Sequence, residues 1–134
     1  MNEFHEKFQI VAHPSNAGPA RDRVRGLAER AGFSGMDLAD IEIAVGEAVT
    51  NAILYGSPAA DSAVTITGGA GGGVFFVEIQ DCGNGFDPDH MRQDTDQDAL
   101  GGRGIRLMRA LMDQVDLHRR RSGMVARLTK RLHR

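Results

Sequence analysis

Cysteine, an excess of positive charge and long apolar runs are all scarce in this chain, and each scarcity excludes a class of protein. Among 134 residues there is one cysteine, Cys82, so no internal disulfide framework is possible and a reducing compartment is expected. Acidic residues number 18 against 16 basic, a formal net charge of -2, which excludes nucleic-acid binding through bulk charge. No apolar stretch approaches the ~20 residues that cross a bilayer. The opening Met1-Asn2-Glu3-Phe4-His5-Glu6 carries acids where a signal peptide has a basic start. A soluble, cytoplasmic protein without membrane or direct nucleic-acid contact is therefore expected. His5, His13, His90, His118 and His133 show no metal-ligand spacing and read as surface residues. The basic cluster Arg119-Arg120-Arg121, with the tail from Lys130 to Arg134, reads as a solvated strand-turn edge. The P-loop pattern G-x-x-x-x-G-K-S/T does not occur.

Glycine is abundant instead: 17 residues, about twice the usual ~7% share. A first strand is predicted over Lys7–His13 and broken by Pro14, with Ser15 or Asn16 placed to cap a helix over Ala17–Ala31. Within that helix Val24, Leu27, Ala28 and Ala31 recur at helical spacing. From Met36 to Tyr55, Leu38, Ile41, Ala44, Val45, Ala48, Ala52 and Tyr55 form one apolar stripe on a long helix, which Gly56-Ser57-Pro58 stops. Val64–Thr67 reads as a strand, Gly68–Gly73 as a hairpin loop and Val74–Gln80 as a central strand. From Phe86 to Leu100 the periodicity vanishes among Asp87, Asp89, Asp94, Asp96 and Asp98. Bounded by glycines on both sides, this segment suits a closing lid. Helical spacing resumes at Ile105, Leu107, Met108, Leu111 and Met112; strands Val115–Arg119 and Met124–Thr129 follow, with Ser122-Gly123 as their turn. The order predicts an α+β two-layer sandwich, one domain over residues 1–134, with a mixed, mainly antiparallel sheet and about three helices on one face.

Three short patterns carry chemistry. Glu47 and Asn51 lie four residues apart on the long helix, so their polar ends share a face. A carboxylate and a carboxamide one turn apart suit a site where one polarises a nucleophile and the other holds a hard cation by its carbonyl oxygen. Taken alone, such a pair is more often a solvated polar edge. Asp81-Cys82-Gly83-Asn84-Gly85 follows the central strand: an aspartate there can accept from an exocyclic amine, and the two glycines let backbone approach a ligand. As an isolated motif it is also a common turn. Gly101-Gly102-Arg103-Gly104 opens a helix, where exposed amides bind anions.

In this order and spacing the patterns resemble those of the GHKL ATPase superfamily. Glu47-Ala48-Val49-Thr50-Asn51-Ala52 looks like its N box, Asp81-Cys82-Gly83-Asn84-Gly85 like its first glycine box, and Gly102-Arg103-Gly104 like its second. The resemblance is closest to the anti-sigma-factor serine/threonine protein kinases and reaches the closing Arg127-Leu128-Thr129-Lys130. It implies the GHKL (Bergerat-type) ATP-binding fold, with ATP and Mg²⁺ in use. Glu47 would be the general base, Asn51 the Mg²⁺ ligand and Asp81 the acceptor from the adenine amino group. Gly83 and Gly85 would frame the base and a lid at about 86–100. Gly102 and Gly104 would give amides to the phosphates, with Arg103 the basic side chain reaching the γ-phosphate. The implied partners are a sigma factor and a STAS-type anti-anti-sigma protein that the kinase phosphorylates, met partly by Arg21 and Arg25, with a homodimer as the assembly. Two positions depart from the pattern: Tyr55 stands where many relatives carry histidine, and Met124, not threonine, follows Gly123. They leave room for a second reading, a nucleotide-binding or degenerate anti-sigma module without kinase activity. A histidine-kinase catalytic domain acting in trans ranks third, because no helical hairpin with a phosphoacceptor histidine is present.

Overall fold

The computed structural model describes residues 3–59, 61–82, 102–121 and 123–133. Strand β1 (Phe4–Val11) and a 3-10 turn (Pro14–Asn16) lead into helices α1 (Ala17–Arg30) and α2 (Gly35–Leu54). The hairpin β2 (Ala63–Gly71) and β3 (Val74–Gln80) follows, then α3 (Gly102–Leu111) and a second hairpin, β4 (Gln114–Arg120) and β5 (Gly123–Arg131). The strands form one sheet in the order β1-β2-β3-β5-β4, and every pairing is antiparallel. Among the described residues the α+β two-layer architecture with three helices is as expected, and the strand pairings are all antiparallel rather than mixed. The second hairpin seats β5, not β4, beside β3, so β3 and β4, which run in the same direction, are separated by a strand and do not pair.

In the helical layer α2 packs against both α1 and α3; α1 covers β2, α2 covers β3 and β5, and α3 covers β4. The register aligns the residues of the covered sheet face: Ile66 opposite Ile79, Ile79 opposite Ala126, Val77 opposite Leu128. Val64, Ile66, Phe75, Val77 and Leu128 are fully buried there. Each such side chain contributes roughly 1.5–3 kcal/mol by leaving water. On α2, Ala44, Ala48 and Ala52 recur every four residues and are all buried, so small side chains let its neighbours approach closely.

The predicted loop over Gly68–Gly73 is corrected: β2 runs on to Gly71, and the turn is only Gly72-Gly73, at φ 61° and 78°. Two consecutive positive φ values suit a two-residue hairpin of type I′, which glycine supplies without strain. The strand glycines answer to packing. A methyl built on Gly68 would lie 2.8 Å from Leu27 Cδ1 of α1, and one on Gly69 2.6 Å from Phe76 Cε1 on the opposite face. The capping expectation also fails. Asn16 occupies the N-cap position of α1 but makes no side-chain cap bond; its Nδ2 donates instead to Val11 O at 2.8 Å. The segment 86–100 lies outside the described residues.

Candidate active site

Glu47 and Asn51 sit on the fourth and fifth turns of α2, and the start of α3 lies against them. Ile105 and Met108 of α3 are buried in the same core as Ala48 and Ala52 of α2, which fixes the approach. A methyl built on Gly104 would fall 2.8 Å from Glu47 Oε2, 3.4 Å from Asn51 Nδ2 and 3.7 Å from Asn51 Oδ1. The carboxylate, the carboxamide and the bare backbone of Gly104 therefore meet at one point, and glycine is the residue that admits the meeting. Asn51 is 4% exposed, and its Nδ2 is buried without a hydrogen-bond partner among the described residues. Leaving such a donor unpaired costs about 1–3 kcal/mol, so it marks a place where a ligand group is expected. Gly102 and Gly104 belong to the first turn of α3, whose amides lack intrahelical acceptors and carry the positive end of the helix dipole. Arg103 is exposed on that turn.

Asp81 lies just past β3, 3% exposed. Its backbone N–H donates to Met124 O at 3.0 Å and its Oδ1 accepts from Met124 N–H at 3.0 Å, prolonging the β3–β5 ladder by one residue. A narrow pocket opens beside it. Helix α2 contributes Ala48, Asn51 and Ala52, helix α3 contributes Met108, and the sheet side contributes Ile79, Asp81, Leu117, Met124 and Ala126. It is an apolar slot with a carboxylate and a carboxamide as its polar groups, the usual composition of a small-molecule site. Gly83 and Gly85 lie outside the described residues.

The other flank of Glu47 opens onto a groove between α1 and α2, lined by Ala17, Gly18, Arg21, Glu42, Ile43, Gly46, Glu47 and Thr50. Arg21 Nε stands 3.7 Å and Arg25 Nε 3.3 Å from the Glu42 carboxylate, so both arginines converge on α2. Two glycines were read from the sequence only as a helix stop and a turn. Methyls built on Gly56 and Gly123 would fall 1.9 Å from Asp81 Oδ2 and 2.0 Å from Asp81 O, so both pack on the aspartate. The local signal for either, a glycine ending a helix or opening a strand, is indistinguishable from ordinary punctuation.

The slot, the helix-start amides and the Glu47–Asn51 pair agree with what the whole chain matches. Residues 10–130 match the family described as Histidine kinase-like ATPase domain, and the chain belongs to that family. It is 33% identical over 137 residues to the serine-protein kinase RsbW of Bacillus velezensis, covering 95% of this chain and 85% of that one. To the serine-protein kinase RsbW of Bacillus subtilis it is 32% identical, over 98% of this chain and 88% of that one. In fold it resembles the crystal structure of the RsbU and RsbW domains of a Mycobacterium tuberculosis protein. That match has a TM-score of 0.71 at 24% identity and covers 96% of this chain and 33% of the other.

Proposed function

We propose that this chain is an anti-sigma factor with ATP-dependent serine/threonine protein kinase activity, which phosphorylates a STAS-type anti-anti-sigma protein in a partner-switching system. The observation that carries the reading is the convergence of Glu47 Oε2, the Asn51 carboxamide and the Gly104 backbone at one end of a slot that also holds Asp81. The names of the relatives, serine-protein kinases over nearly the full chain, support the same reaction.

The roles follow from the chemistry of each group. Asp81 accepts from the adenine amino group while the apolar walls of the slot enclose the ring. The first-turn amides of Gly102 and Gly104 bind phosphate oxygens, with Arg103 close to the γ-phosphate. Glu47 accepts the proton of a serine or threonine hydroxyl as its oxygen bonds to the γ-phosphorus and ADP departs. The groove past Arg21 and Ile43 reaches Glu47 from the side away from α3, which suits entry of a protein acceptor. Asn51 fits a cation: a half-turn of its carboxamide exchanges Nδ2 for Oδ1, and a carbonyl oxygen is a hard ligand suited to Mg²⁺. Bound there, Mg²⁺ would neutralise phosphate charge. Among the described residues no cluster of three or more His, Cys, Asp or Glu could hold a metal by itself, so the nucleotide would supply most of the other ligands. Met124 contributes to the slot through its amide, which holds Asp81 in place. We place the protein in the cytoplasm as a homodimer; among the described residues no helix is long and apolar enough to cross a membrane.

The test is transfer of radiolabelled γ-phosphate from ATP to the cognate anti-anti-sigma protein. Glu47→Gln is expected to slow transfer by about 10²–10⁴-fold, the usual worth of a general base, with ATP binding retained. Equal transfer by the variant would remove Glu47 from the mechanism.

A further inference from the structure

We infer that Gly56 is a positioning residue for Asp81 and, through it, a determinant of which base the slot accepts; this rests on the reading of Asp81 as the adenine acceptor. Gly56 is buried just beyond α2, and its φ is not positive, so backbone conformation alone does not call for glycine. Space does. A methyl built there would lie 1.9 Å from Asp81 Oδ2, 2.5 Å from its Cγ and 3.1 Å from its Cβ, well inside contact distance.

The carboxylate has little freedom to give way. Its Oδ1 accepts from Met124 N–H at 3.0 Å, and a methyl on Gly123 would lie 2.9 Å from that same oxygen. Asp81 is thus held between two side-chain-free stretches of backbone, one after α2 and one opening β5. Gly56 is itself anchored: its N–H donates to Asn51 O at 3.2 Å, and Tyr55 N–H donates to the same oxygen at 2.9 Å. The Asn51 backbone that carries the phosphate-end carboxamide therefore also fixes the glycine against the base-end carboxylate.

An exocyclic amine donates to a carboxylate in this orientation, whereas a base with a carbonyl at that place meets it acceptor to acceptor. Selectivity then depends on where Asp81 points, and a side chain at position 56 turns it. The experiment titrates the purified full chain with ATP and with GTP, each with Mg²⁺, by calorimetry. Gly56→Ala is expected to lose about tenfold or more in ATP affinity while GTP binding stays as weak, narrowing the ATP-to-GTP ratio. Pro58→Ala, exposed two residues on, keeps the wild-type ratio. An unchanged ratio in Gly56→Ala, with Asp81→Ala losing the preference, overturns the inference alone. Unchanged ATP affinity in Asp81→Ala overturns the reading beneath it as well. If Gly56→Ala unfolds, the double variant Asp81→Ala/Gly56→Ala decides. Recovery of the melting point of Asp81→Ala supports the contact, and a double variant as unstable as the single one overturns it.

Discussion

Aspartate at position 81 is doubly committed: one carboxylate oxygen accepts from Met124 N–H, and the other packs against Gly56. Such a residue is costly to bury at 3% exposure unless its hydrogen bonds are made, and the sheet makes one of them at the end of the β3–β5 ladder. Asp81→Asn keeps the volume but replaces an acceptor oxygen with a donor nitrogen. A charge-assisted hydrogen bond is worth roughly 1.5–3 kcal/mol, so ATP affinity is expected to fall about tenfold or more. Calorimetric titration with Mg²⁺ and ATP checks this, and an unchanged dissociation constant would show that the carboxylate does not read the base. Met124, which had looked like a weakness of the pocket, contributes through its amide. A main-chain donor serves there whatever side chain is attached.

At the level of elements, the site depends on how α2 and α3 are joined at the end away from Glu47. Lys130, 7% exposed on β5, donates from Nζ to Leu111 O at the last residue of α3, and stands 3.6 Å from Asp40 and 3.9 Å from Asp37 at the start of α2. One ammonium thus ties the sheet to a helix C-terminus and to the first two turns of another helix, and both helix ends favour the charges found there. Lys130→Met, similar in length but without the donor, is expected to lower stability by about 1–3 kcal/mol, read by urea denaturation. A midpoint equal to wild type would show the cluster to be inert. The long stripe of α2 and the apolar run Val74–Gln80 were legible because periodicity alone specifies a buried helix and a buried strand. Glu47, Asn51, Asp81 and Gly104 were legible because their order and spacing match a known pattern; the structure sets Glu47 and Gly104 beside Asn51, which lines one slot with Asp81. The run Gly68–Gly71 was misread because glycines chosen for close contact with Leu27 and Phe76 look, from sequence, like a loop. The roles of Gly56 and Lys130 were invisible for the same reason: each depends on a partner far along the chain.

The slot draws its walls from both layers, with α2, α3 and the three strands β3, β4 and β5 all contributing side chains. A ligand seated there bridges both layers, and it binds only when they are docked. Nucleotide binding should therefore stabilise the entire fold by linkage. At a hundredfold excess over its dissociation constant the gain is about 2.7 kcal/mol, which for a chain of this length corresponds to a rise in Tm of roughly 8–12 °C. The Asn51 carboxamide makes a sharper expectation. Its buried Nδ2 lacks a partner among the described residues, so a phosphate oxygen that accepts from it relieves a cost already present in the fold, while a cation would be held by Oδ1 of the same carboxamide. In differential scanning calorimetry, ATP with Mg²⁺ is expected to raise Tm of the wild type more than ATP with a chelator. Asn51→Ala should keep an ATP-dependent rise but lose the increment due to Mg²⁺. Equal increments in the two proteins would move the cation away from Asn51, and no rise with saturating Mg²⁺ and ATP would leave the slot without a nucleotide and the kinase reading without its substrate.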